Sequence, residues 1–185
     1  MPLVTLALAL SACARTPPPG PKIPVQAPIQ EDASTIDGLV RAYYEVVNVA
    51  PREPRQWGRD RTLYSPWIRF VALGESPSDR AKVQVWTHDE LVAATEPLIE
   101  KGFREREIHR SMRRYGAMAH VDSTYETETG PEHRRSRGLN SLDLYFDGHR
   151  WWIASAMWQG EDKEHPLPAE LLPPETPPRD RSKPQ

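Results

Sequence analysis

Residues Phe103 to Trp158 read FREREIHRSMRRYGAMAHVDSTYETETGPEHRRSRGLNSLDLYFDGHRWWIASAMW, and this stretch decides the fold. Four runs in it have strand length and strand composition: Phe103 to Arg113, Ala117 to Glu128, Arg137 to Phe146 and Arg150 to Trp158. Short turn signals separate them. They are Tyr115-Gly116, the polar segment Thr129 to Arg135, and Asp147-Gly148. An Asp-Gly pair strongly favours a hairpin, because both residue types tolerate positive φ. The stretch therefore predicts a four-stranded antiparallel meander.

Upstream of the meander the pattern turns helical. Ile36, Leu39, Val40, Tyr43, Val46 and Val47 recur at helical spacing, with Ser34 or Thr35 as N-cap and Pro51 and Pro54 ending the run. Trp57 to Tyr64 reads as a short helix and turn stopped by Pro66. Trp67 to Leu73 and Val83 to Trp86 read as strands. Thr87-His88-Asp89-Glu90 has the capping-box pattern and opens another helix, with Leu91, Ala94, Thr95 and Leu98 as its inner stripe and Gly102 closing it. Helices first and a meander last predict an α+β domain.

The two ends are different in kind. Of 185 residues, 20 are proline, concentrated at the ends, and the net charge of −2 gives no reason to expect a nucleic-acid binder. Leu3 to Leu10 is apolar but shorter than the roughly 20 residues that span a bilayer. It has the length of a signal-peptide core and is followed by Leu10-Ser11-Ala12-Cys13. This resembles the bacterial lipobox, in which small residues admit the peptidase and the thiol accepts lipid. No Lys or Arg precedes the apolar run, so a translation start further upstream is expected. The single cysteine excludes an internal disulfide. The expected organisation is a signal peptide over 1–12, a lipidated Cys13 with a Pro-rich tether over 13–33, a domain over 34–172 and a Pro-rich disordered tail over 173–185. Leu167, Leu171 and Leu172 are expected to pack back onto the domain.

The order of elements resembles the nuclear transport factor 2-like fold. Phe103 to Arg110, Gly116 to Glu126, Arg137 to Ser141 and Asp147 to Ile153 resemble strands of bacterial SnoaL-like domains. Trp57, Arg59, Leu63 and Trp158, with Pro166-Leu167-Pro168 after it, fit the same pattern, so the resemblance spans Thr35 to Leu171. It implies a strongly curved, mostly antiparallel sheet wrapped over N-terminal helices into a cone. It also makes a homodimer an expectation. The same fold carries polyketide cyclases, ketosteroid isomerase and scytalone dehydratase beside plain binding modules, so it implies no particular reaction.

Candidate chemistry is sparse. With a two-residue turn at Tyr115-Gly116, His109 would stand opposite Asp122 and Glu107 opposite Thr124, with His120 on the same face. His109 held by a carboxylate from Glu107 or Asp122 could then act as a general base. The same residues equally suit a paired polar face on the outside of the sheet. Trp57, Tyr64, Tyr125, Ser141 and Trp158 are candidates to line an apolar pocket, with Ser123 and Asn140 as possible hydrogen-bonding groups. The six histidines lack metal-ligand spacing, and there is no glycine-rich phosphate loop, so no metal or cofactor is expected.

The leading expectation is an envelope lipoprotein, anchored through Cys13 in the outer membrane and facing the periplasm. Its domain would bind a small apolar ligand or an envelope protein without catalysis. The alternatives are a lyase, isomerase or cyclase using a pocket histidine and carboxylate, and a structural envelope protein.

Overall fold

A computed structural model describes residues 23–74, 82–99 and 101–174. The lipobox around Cys13 and most of the expected tail lie outside the described residues.

The element order is α1 (Gln30–Ala33), α2 (Ile36–Glu45), α3 (Trp57–Arg61), β1 (Tyr64–Gly74), β2 (Lys82–Trp86), α4 (His88–Ile99), β3 (Phe103–Tyr115), β4 (Met118–Thr129), β5 (Arg134–Phe146) and β6 (Trp151–Gly160). A single 3-10 turn, Ala169–Leu171, follows. All six strands form one sheet in the order β2-β1-β6-β5-β4-β3. The expected meander is its larger part, and β1 joins by parallel pairing to β6 while every other pair is antiparallel. This is the α+β arrangement that the sequence predicts.

Local chemistry explains the helix starts and the hairpin. The Thr35 hydroxyl accepts from the Gly38 N–H at 2.9 Å and caps α2. Gly38 is required here, because a Cβ would lie 2.3 Å from the Glu31 carbonyl oxygen of α1. At α4 the Glu90 carboxyl accepts from the Thr87 N–H at 2.7 Å, the expected capping box. In the β5–β6 turn Gly148 has φ +99, and one Asp147 oxygen accepts from the N–H groups of His149 and Arg150, both at 2.8 Å.

The core lies between α2 and the inner sheet face. Leu39, Val40 and Val46 meet Val121, Leu142, Ile153 and Ala156, all fully buried. Burying each Leu, Ile or Val contributes about 1.5–3 kcal/mol. The C-terminal segment crosses the outer face, where the Thr124 hydroxyl donates to the Leu171 carbonyl.

Three local expectations need correction. α1 forms ahead of residue 34, with Asp32 and Ala33 both buried. β1 starts at Tyr64 and runs through Pro66 instead of beginning after it. The β3–β4 turn is Gly116-Ala117, because Tyr115 pairs with Met118 and Gly116 takes the positive φ of +55.

Candidate functional site

The turn position and one bulge decide where the predicted catalytic residues fall. His109 pairs with Thr124, and Asp122 pairs with Ser111. Between Glu107 and His109 the register shifts, so Ile108 is an extra residue and Glu107 pairs with Tyr125. A one-residue bulge reverses which face the following side chains take. Glu107 therefore lies on the inner face with Ser123 and Tyr125, while His109 shares the outer face with Asp122 and His120. The constellation of His109, Glu107 and Asp122 is not assembled. Asp122 is instead held 3.1 Å from His120 Nε2, and His120 Nδ1 lies 2.9 Å from Asp143. Hydrogen bonding to Asp143 first, and then to Asp122, raises the His120 pKa.

The predicted pocket residues are also dispersed. Trp57 is buried against Val49 and Val92 and donates its indole N–H to Glu96. Tyr125 is core, and its ring lies against Gly138, where a Cβ would be 2.3 Å from the phenol oxygen. Ser141 is on the outer face beside His120. Trp158 stacks on Trp86 with centroids 6.0 Å apart. Of the five, Tyr64 lines a cleft.

That cleft, about 470 Å³, opens between the start of β1, the end of α3 and the start of α4. Its origin is an irregular β1. Between Tyr64↔Ile153 and Arg69↔Ser155, β1 advances five residues while β6 advances two. Pro66 sits in that segment and has no N–H to give to a ladder. The surplus backbone bows away from β6. Tyr64, Ile68, Pro28 and Trp152 supply apolar lining, and Ser65, Arg61, Arg69, His88 and Asp89 supply polar groups.

Behind the cleft wall is a buried dyad that the sequence reading missed. Asp60, 1% exposed, accepts from the Tyr64 hydroxyl at 2.8 Å, and its other oxygen lies 2.9 Å from His88 Nε2. A carboxylate only accepts, so Nε2 carries the hydrogen and Nδ1 keeps a lone pair in the neutral ring. Nδ1 is buried without a hydrogen-bond partner among the described residues. Asp89 is 4.0 Å from it, beyond hydrogen-bond reach, and is itself paired with Arg61. Ser65 lines the same cleft, and its Oγ is likewise buried and without a partner among the described residues. Native structures rarely leave such atoms unsatisfied. Asp60 and His88 are 28 residues apart, near the end of α3 and at the start of α4, and the capping box around His88 marks a helix start without pointing to Asp60.

A second polar chain threads the inner face. Arg110 grips Glu107 through two bonds of 2.8 and 2.7 Å. The Ser123 hydroxyl donates to Glu107, so the Tyr44 phenol donates to Ser123 at 2.6 Å. Asn140 Nδ2 donates to Tyr44 and to Glu105, both at 3.2 Å. Burial pushes the Glu105 carboxyl up to about 7, against smaller lowering by Asn140 and Arg55. The Arg55 guanidinium lies 4.0 Å over the Trp57 ring and 3.8 Å from Asp60. Tyr43, Tyr44 and Tyr125 are packed in the core around this chain.

The sheet and helices define an α+β domain with a cystatin-like fold. Solved structures with this fold include an uncharacterized protein from Caulobacter vibrioides with a cystatin-like fold, 15% identical, covering 70% of this chain and 89% of that one at a TM-score of 0.51. A protein of unknown function from Nostoc punctiforme with a cystatin-like fold is 8% identical, covering 69% and 90% at a TM-score of 0.50. An NTF-2-like protein of unknown function from Silicibacter pomeroyi is 14% identical, covering 68% and 92% at 0.44. No protein-family model matches the chain, and no curated protein matches it.

Proposed function

We propose that the chain is a membrane-anchored ligand-binding module of the bacterial envelope. Lipid on Cys13 would hold it to the outer membrane, the Pro-rich segment would act as spacer, and the domain would bind a small, largely apolar molecule in the His88 cleft. One observation carries the choice of site. Two buried polar atoms without partners, Ser65 Oγ and His88 Nδ1, belong to residues lining a cleft of about 470 Å³. Its size falls in the range of small-molecule pockets. The exposed apolar side chains Trp67, Val83, Val85 and Met157 support pairing with a second copy.

A thermal-shift screen of the full chain against lipids, sterols and aromatic acids tests the reading. A ligand that binds only the folded state raises the midpoint. The shift is expected to disappear in Trp152→Ala, which removes a cleft wall. No shift across the panel would count against the proposal.

A second reading, an enzyme of the lyase or isomerase type, is favoured by the Asp60–His88 pair. It would move the general base from His109 to His88, whose Nε2 is oriented by a carboxylate. Turnover of any cleft ligand, lost in His88→Gln with binding retained, would select it.

A further inference from the structure

We propose that the cleft takes an apolar carboxylic acid, its carboxylate seated on Ser65 Oγ and His88 Nδ1. This rests on the cleft being the ligand site. Its hydrocarbon body would lie against Tyr64, Ile68 and Trp152.

The argument starts from what the two free atoms can do. Ser65 Oγ has a hydroxyl hydrogen to donate, and the imidazole can donate from Nδ1 once it is protonated there. A hydrocarbon ligand would leave both atoms unsatisfied. A carboxylate offers two acceptor oxygens, one for each. Charged hydrogen bonds are also the stronger kind.

The charges around His88 favour an anion. From α3 it faces Asp60 Oδ2, the same oxygen that lies 3.8 Å from Arg55 of the preceding loop. Arg61 from α3 and Arg69 from β1 line the cleft. Tyr64 of β1 gives its hydroxyl to Asp60. From α4 itself comes Asp89, whose charge is met by Arg61. Behind Thr62, Arg150 reaches that residue's carbonyl through Nη2 while its buried Nη1 has no partner among the described residues. A ligand carboxylate would complete a carboxylate–imidazolium–carboxylate row.

Asp60 accepts from Nε2, so Nδ1 meets a carboxylate with a second hydrogen on the ring, or a neutral acid with its lone pair. No covalent bond forms or breaks beyond that shared proton.

Calorimetric titration of the full chain with 2-naphthoate and with octanoate, each beside its methyl ester, tests the proposal. At least one acid is expected to bind about tenfold or more tightly than its ester. The acid that binds identifies the body as aromatic or aliphatic. Ser65→Ala, which removes an atom with no hydrogen-bond partner among the described residues, is expected to keep its melting midpoint and weaken acid binding about tenfold. Esters binding as tightly as the acids would overturn the proposal. Esters binding without the acids would overturn it while leaving the cleft as the ligand site. Neither class binding would overturn both.

Discussion

His88 Nε2 lies 2.9 Å from one oxygen of Asp60, whose other oxygen accepts from Tyr64 at 2.8 Å. This one carboxyl joins α3, β1 and α4 at the back of the cleft, and Arg55 lies 3.8 Å from it. Asp60→Ala would leave a buried arginine, a phenol and an imidazole without their acceptor. It is expected to lower stability by about 3 kcal/mol or more, because breaking a buried charged network costs that order. Urea unfolding with an unchanged slope is the check. Asp60→Asn keeps an acceptor for Tyr64 and is expected to lose less.

Glu105 makes stability depend on pH. Its carboxyl is pushed up to about 7 in the folded chain, chiefly by burial, from an ordinary value of 4.5. A raised carboxyl pKa means that the folded state holds the proton more tightly than the unfolded state does. Its stabilising effect is therefore full below about pH 4.5 and is lost as pH rises through about 7. The swing is of order 3 kcal/mol. Glu105→Gln keeps an acceptor for Asn140 and removes the titration. Melting curves of the variant are expected to be flatter with pH over this window and higher than wild type above about pH 7.

Arg59 ties α1 to the domain. It grips Asp32 through two bonds of 2.7 Å and reaches Glu45 at 2.7 Å. Asp32 is 2% exposed, so Arg59→Ala would strand a buried carboxylate. A loss of about 3 kcal/mol is expected, read by urea unfolding. Early proteolytic cleavage near α1 should accompany it.

Signals that act over a few residues were legible in the sequence. The 3.6-residue period of α2, the Thr87–Glu90 capping box and the Asp147-Gly148 hairpin each depend on near neighbours, and each lies where expected. Register was less legible. Gly116 could occupy either turn position, and the choice moved the partner of His109 from Asp122 to Thr124. The bulge at Ile108 has no marker in the sequence, yet it puts Glu107 on the opposite face from His109. The dyad was beyond local reading. Asp60 and His88 meet because α3 and α4, separated in sequence by β1 and β2, come together beside an irregular strand whose partner, β6, lies about ninety residues later.

The anchor has its own test. Cys13→Ser removes the acceptor thiol of the lipobox-like sequence. The variant is expected to accumulate as an unprocessed precursor or to leave the membrane fraction. Unchanged membrane fractionation would refute lipid anchoring through Cys13.

The central claim is that the His88 cleft is where this domain binds its ligand. Titration of the full chain with 2-naphthoate, followed through the His88 imidazole and Trp152 indole resonances, tests it most directly. Saturable shifts at His88, Trp152 and Ser65, with the inner cluster around Tyr125 and Asn140 undisturbed, are the predicted result. Shifts confined to the outer face around His109 and His120, or none at His88 at saturation, would contradict it.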